Sequence, residues 1–150
     1  LITVSVAGFL LLNHKRRSAL FVIIAVVGGL LLSNLLKTGF DRPRPELVPH
    51  ESFVYTASFP SGHSTLAAVT YLTLGSLLAR VYSRRRIKSY FIIWALLIVI
   101  VVGVSRVYMG VHWPTDVLAG WTLGTSWALF CWLVFRWLQK SGDVEEDTIE

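Results

Sequence analysis

Charge is scarce in this chain of 150 residues. Asp, Glu, Lys and Arg together make up 15% of it, against about 25% in an ordinary soluble domain. That shortage removes much of the surface with which a fold would face water. Cysteine is nearly absent too: Cys131 stands alone, which excludes an internal disulfide, and no Cys/His cluster has metal-ligand spacing. No fixed-period repeat runs through the sequence, which excludes collagen and coiled coil. What is present instead is apolar. Hydrophobic residues reach 54% and the mean hydropathy is +0.61, which excludes disorder. The length suits one domain. A formal charge of +5 would suggest a nucleic-acid partner, but the basic residues stand in short clusters between apolar runs. The composition is that of a membrane protein, with no nucleic-acid partner expected.

A bilayer core takes about 20 apolar residues per spanning helix. Ser18 to Leu36, Ser64 to Tyr82, Ser89 to Ser105 and Val117 to Phe135 all qualify, with Arg80 as their only charge and close to the end of its segment. Leu1 to Asn13 is apolar but too short to span. It reads as the tail of a truncated helix, and no basic residues precede it as they would in a signal peptide. The expected fold is therefore all-α: a polytopic membrane helix bundle with four full transmembrane helices plus a truncated N-terminal one. Residues 1–140 form an N-terminally incomplete membrane-embedded domain in this reading, and residues 141–150 an acidic cytoplasmic tail.

Topology follows from Lys and Arg. Alternating spans place Lys15, Arg16, Arg17, Arg80, Arg84, Arg85, Arg86, Lys88, Arg136 and Lys140 on one side, which should be cytoplasmic. The other side holds only Lys37, Arg42, Arg44 and Arg106. Cations there run against the positive-inside rule and need another purpose. Two loops on that face carry them, the first ending in Pro60-Ser61-Gly62-His63 and the second running from Ser105 to Asp116. Three cations beside two histidines and an aspartate suggest a site for a phosphate-like anion. Each residue also has a plainer role. Lys37 can snorkel, Arg44 between two prolines can be a solvated loop residue, and Ser61 or Ser64 can cap the helix that follows. Asp116 favours a helix dipole just after Pro114, while Tyr108 and Trp113 suit the interfacial aromatic belt. Asp41, Glu46, Glu51, His14 and His50 read as doing no chemistry.

Taken together the residues form three motifs in order. Lys37 is followed after six residues by Arg44-Pro45, then comes Pro60-Ser61-Gly62-His63, and then Ser105-Arg106 with His112 and Asp116 at fixed spacing. This combination resembles the type 2 phosphatidic acid phosphatase family, which shares its site with bacterial acid phosphatases and vanadium haloperoxidases. All eleven fixed positions match, and the resemblance runs from about Ser18 to Leu138. Membrane members of the family usually have six spanning helices, so the chain would be part of a six-helix core.

The resemblance implies a metal-independent phosphatase with no cofactor. It makes His112 the nucleophile that forms a phosphohistidine, Asp116 the acceptor that orients its ring, and His63 the general acid that protonates the leaving oxygen. The four-residue spacing from His112 to Asp116 suits this if the turn at Pro114 brings the side chains together. Lys37, Arg44 and Arg106 would surround the phosphoryl oxygens, with Ser61 and Gly62 adding backbone N–H donors at a helix N-terminus. The implied substrate is a phosphorylated lipid: undecaprenyl pyrophosphate first, with phosphatidic acid and phosphatidylglycerol phosphate behind it. The implied place is a bacterial inner membrane with the site on the periplasmic or extracytoplasmic face. A lipid phosphotransferase using the same histidine, a haloperoxidase-like oxidoreductase and a catalytically silent scaffold are the competing readings. Gly120 and Gly124 have the small-xxx-small spacing of tight helix packing.

Overall fold

The computed structural model describes residues 1–45 and 57–140. The acidic tail expected over 141–150, and Glu46, His50 and Glu51, lie outside them. Five helices follow one another: α1 (Ile2–Leu12), α2 (Arg16–Gly39), α3 (Gly62–Val81), α4 (Arg85–Tyr108) and α5 (Pro114–Lys140). The last four are long and apolar enough to cross a membrane, and α1 is a shorter apolar helix. These are the four expected spans; α2, α4 and α5 run several residues beyond their uncharged stretches, where polar ends continue the helix into the interface, and α3 keeps nearly the expected length. His14, with φ 59°, makes the turn out of α1.

The burial pattern is that of a bundle solvated by lipid. Leu20, Ile24, Leu31, Ile93, Val101 and Leu133 are exposed, whereas Ser18, Ser33, Thr65, Thr70 and Thr73 are buried. Lipid tails are as apolar as leucine, so large side chains gain nothing by turning inward and small residues let the helices approach. α3 is the central element and packs on α2, α4 and α5. Where α2, α3 and α5 meet, Phe21, Val22, Ala25, Val69, Leu77, Cys131 and Phe135 form the core, with the rings of Phe21 and Phe135 stacked 4.4 Å apart.

Two devices set the helix positions. At the crossing of α3 and α5, a methyl group on Gly120 would lie 2.7 Å from the Ser61 carbonyl oxygen, and one on Gly124 would lie 2.5 Å from that of Thr65. The small-xxx-small pair does what its spacing suggested. The second device is a tryptophan in a glycine notch. Trp127 of α5 lies against Gly28 and Gly29 of α2 and donates its indole N–H to the Ala25 carbonyl at 2.8 Å. Trp121 lies against Gly103 of α4 and donates to the Val99 carbonyl at 3.1 Å.

Candidate active site

Five helices alternating in direction bring four termini to one end: the C-termini of α2 and α4 and the N-termini of α3 and α5. The three motifs occupy these termini and the loops beside them, so residues far apart in sequence share one cluster. The local reasons are legible. Gly110 takes a positive φ of 65°, which costs glycine little, and lets the chain leave α4 sharply. Pro114 then opens α5, where its missing N–H is no loss. Asp116 stands two residues into the helix and reaches back to accept from the Trp113 backbone N–H at 2.9 Å, half of a capping box.

Asp116 is fully buried and amply satisfied. One carboxylate oxygen takes the Arg42 Nη1 donor at 2.7 Å. The other takes the Trp113 N–H and the Ser58 hydroxyl. His112 Nδ1 lies 3.6 Å from that second oxygen, beyond hydrogen-bond length. The direct His112–Asp116 bond that the family resemblance implied is therefore replaced by a relay. The Ser58 hydroxyl donates to Asp116 and stands 3.5 Å from His112 Nδ1. The carboxylate is already engaged by the helix cap and by Arg42, and the imidazole is held off it.

The other ring nitrogen fixes the tautomer. His112 Nε2 lies 3.4 Å from Arg44 Nη1, and arginine has donors only. Nε2 must then be the bare nitrogen, with the proton on Nδ1 toward Ser58 and Asp116. Burial, and then the charges of Arg44 and Lys37, push the His112 pKa down to about 4, with Asp116 and Ser58 acting in the opposite sense. A neutral imidazole with its free lone pair facing a cation has the form that attack on an anionic centre requires.

Backbone carbonyls hold two of the cations in place. Lys37 Nζ donates to the Ala57 carbonyl at 2.7 Å, and Arg44 Nη1 to the Val111 carbonyl at 2.8 Å. Burial lowers the Arg44 pKa, opposed by Asp116, though a guanidinium remains charged at any working pH. Arg106 Nε bonds to the neighbouring Ser105 Oγ at 3.4 Å. Its charge, with those of Arg44 and Lys37, acts on His63, which is exposed at the mouth of the cluster.

Ser61 departs from expectation. Its hydroxyl caps α3, accepting from the Ser64 N–H at 3.4 Å, but its own N–H donates to the Asp116 carbonyl at 3.0 Å. That amide ties α3 to α5 and is not available to an anion. The first-turn amides left at this helix N-terminus are those of Gly62 and His63. Trp113 departs as well. It is no simple belt residue: its indole N–H donates to the Pro43 carbonyl at 3.1 Å and the Arg42 guanidinium lies 5.6 Å from its ring centre.

Arg42 and Ser58 were not singled out from the sequence. Arg42 looked like one more loop cation, and Ser58 precedes the second motif without belonging to it. The available signal for Arg42 was its position on the face where positive charge is unexpected. No local pattern marks Ser58, whose two partners are 54 and 58 residues away.

Beside the second loop, an apolar cavity of about 430 Å³ opens between α4 and α5, lined by Val104, Val107, Tyr108, Pro114, Leu118 and Trp121. Its lining includes Val107, which follows Arg106 in the chain, and Pro114, two residues from both His112 and Asp116.

Residues 17–140 match the model of the PAP2 superfamily. Phosphatidylglycerophosphatase B of Bacillus subtilis is 39% identical over 115 residues, covering 74% of this chain and 55% of that protein. The undecaprenyl-diphosphatase of Sulfolobus acidocaldarius is 30% identical over 131 residues, covering 83% and 58%. The chain spans a little over half the length of these curated relatives. The crystal structure of a transmembrane PAP2 type phosphatidylglycerolphosphate phosphatase from Bacillus subtilis superposes with a TM-score of 0.83 at 30% identity, covering 91% of this chain and 68% of that one. Motifs, helix arrangement and relatives agree, and the chain belongs to the PAP2 superfamily.

Proposed function

We propose that this integral membrane protein is a lipid phosphate phosphatase that hydrolyses a phosphomonoester or pyrophosphate head group through a phosphohistidine on His112. The observation that carries the proposal is the orientation of that ring, with bare Nε2 toward Arg44 and Nδ1–H toward Ser58 and Asp116. In the first step Nε2 bonds to phosphorus in line, the bond to the leaving oxygen breaks, and His63 gives that oxygen its proton. The ring becomes cationic, and buried Asp116 stabilises it through Ser58. In the second step His63 takes a proton from water, the resulting hydroxide bonds to phosphorus, and the P–N bond breaks with its electrons returning to Nε2. Lys37, Arg44 and Arg106, with the Gly62 and His63 amides, balance charge on the equatorial oxygens.

Two features favour a lipid. The cluster lies at the ends of membrane-spanning helices, and the apolar cavity beside Tyr108 and Trp121 offers room for the start of an acyl or prenyl chain. Undecaprenyl pyrophosphate is the first candidate, followed by phosphatidylglycerol phosphate and phosphatidic acid; the undecaprenyl-diphosphatase and phosphatidylglycerophosphatase among the relatives support the first two. Ten of the fourteen Lys and Arg residues stand at the opposite end. By the positive-inside rule the site faces outward, in this reading from a bacterial inner membrane.

The test is release of inorganic phosphate from these three lipids by the purified full-length protein in detergent, with EDTA present. Release that persists in EDTA and disappears in His112→Ala is the expected result. Equal release by the variant would refute the assignment of the nucleophile.

A further inference from the structure

The larger of the two cavities described here is not at the candidate active site. It opens between α3, α4 and α5 at the opposite end of the bundle, with a volume of about 700 Å³. Arg80 lies seventeen residues beyond His63 on α3, about 25 Å along the axis at 1.5 Å per residue. Three cations line the cavity, one from each helix: Arg80, Lys88 and Arg136. Below them its walls are apolar, formed by Leu72, Ile92, Ala128, Leu129 and Trp132, with the hydroxyls of Ser76 and Thr125 between.

From this arrangement we infer that the cavity binds one anionic phospholipid of the leaflet opposite the catalytic face, its phosphate among Arg80, Lys88 and Arg136 and an acyl chain along Leu72 and Leu129. Charge and shape both select that occupant. The cations stand at the level where a helix leaves the bilayer and head-group phosphates lie, and basic pockets between helices at this depth suit anionic lipids. A soluble anion would meet the cations but leave the apolar wall unfilled. The side chains are also prepared for it. Arg80 bonds to the Gln139 amide and lies 5.3 Å from the Phe135 ring centre, and Arg136 lies 5.2 Å from that of Trp132. An aromatic ring at this distance orients a guanidinium. Among the described residues the acids are Asp41 and Asp116 alone, both at the other end.

The test is native mass spectrometry of the full-length protein after exchange into phosphatidylglycerol or phosphatidylcholine of equal chain length. Wild type should retain one phosphatidylglycerol and little phosphatidylcholine. Lys88→Gln with Arg136→Gln should lower that retention by about fivefold for each charge removed. Arg80 is left intact in this variant because it also joins α3 to α5. Arg84→Gln with Arg86→Gln removes two charges at the same end that do not line the cavity, and should change retention less than about twofold. Monodisperse elution and unchanged helical circular dichroism verify folding, so the readout does not depend on phosphatase activity. Equal retention of the two lipids, equal loss in the control pair, or displacement by glycerol 3-phosphate at the same concentration would each overturn the inference. So would retention that appears only after removal of residues 141–150, since the acidic tail would then be the occupant.

Discussion

Both ends of the bundle gather cations, yet they hold them differently. At the candidate-site end Lys37 and Arg44 donate to backbone carbonyls, and Arg42 meets the Asp116 carboxylate. At the other end Arg80 and Arg136 lie against aromatic rings and one amide. The difference lies in the buried acid. Asp116 absorbs the charge of Arg42, while carbonyls fix where Lys37 and Arg44 point. A cation meant to meet a substrate has to be pinned by something neutral. The far end uses the same rule more loosely, with partners at ring distance rather than hydrogen-bond length.

The contrast can be broken most severely at His112. His112→Gln should lower phosphate release by at least about 10⁴-fold, as loss of a catalytic-triad member does, and should leave no alkali-stable phosphoryl-protein in a quench experiment. Asp116→Asn comes next, with a loss of up to about 10⁴-fold in kcat and a lower melting temperature, because Arg42 loses its charged partner. Arg42→Gln should cost about tenfold in kcat with KM nearly unchanged, and Arg42→Lys should recover most of it. Arg44→Gln should instead raise KM. If Arg42→Gln raised KM as Arg44→Gln does, the division between the neutralised and the presented cation would be wrong. A smaller effect is structural: Gly124→Ala brings a methyl group onto the Thr65 carbonyl and should destabilise the fold by about 1–3 kcal/mol, measured as detergent-dependent thermal unfolding.

The pH profile sharpens the same point. The His112 ring loses its proton near pH 4 rather than near 6.5, so acidification should reduce kcat/KM with a midpoint near 4 once substrate ionisation is subtracted. A midpoint at 6.5 would mean that Arg44 and Lys37 do not act on the ring. Stability moves in a defined direction as well. Between about pH 6.5 and 4 the unfolded chain carries a proton on this histidine that the folded chain lacks, so stability falls as pH drops across that window.

The four spans were legible because lipid demands long uncharged runs, and the eight motif residues because the spacing of Lys37, Arg44, His63, Arg106, His112 and Asp116 with Ser61 and Gly62 has no other strong explanation. What stayed hidden were relations between distant segments. Nothing near Ser58 announces that its hydroxyl will stand between Asp116 and His112. The role of the Ser61 amide was misjudged for the same reason: the rule about helix N-termini and anions is local, whereas its acceptor belongs to α5. Trp113 read as an interface residue because its composition fits the belt, and only the Pro43 carbonyl reveals its other task.

The crossing of α3 and α5 has a consequence for biosynthesis. These two helices are not neighbours in sequence; α4 lies between them and must cross the bilayer first. Ser61 cannot give its N–H to the Asp116 carbonyl, and Gly120 and Gly124 cannot seat against α3, until the fifth helix has left the ribosome and entered the membrane. His112 and Asp116 arrive with that last helix. Lys37, Arg44 and His63 are therefore in the membrane well before His112 and Asp116, and the cluster closes only when α5 enters the bundle.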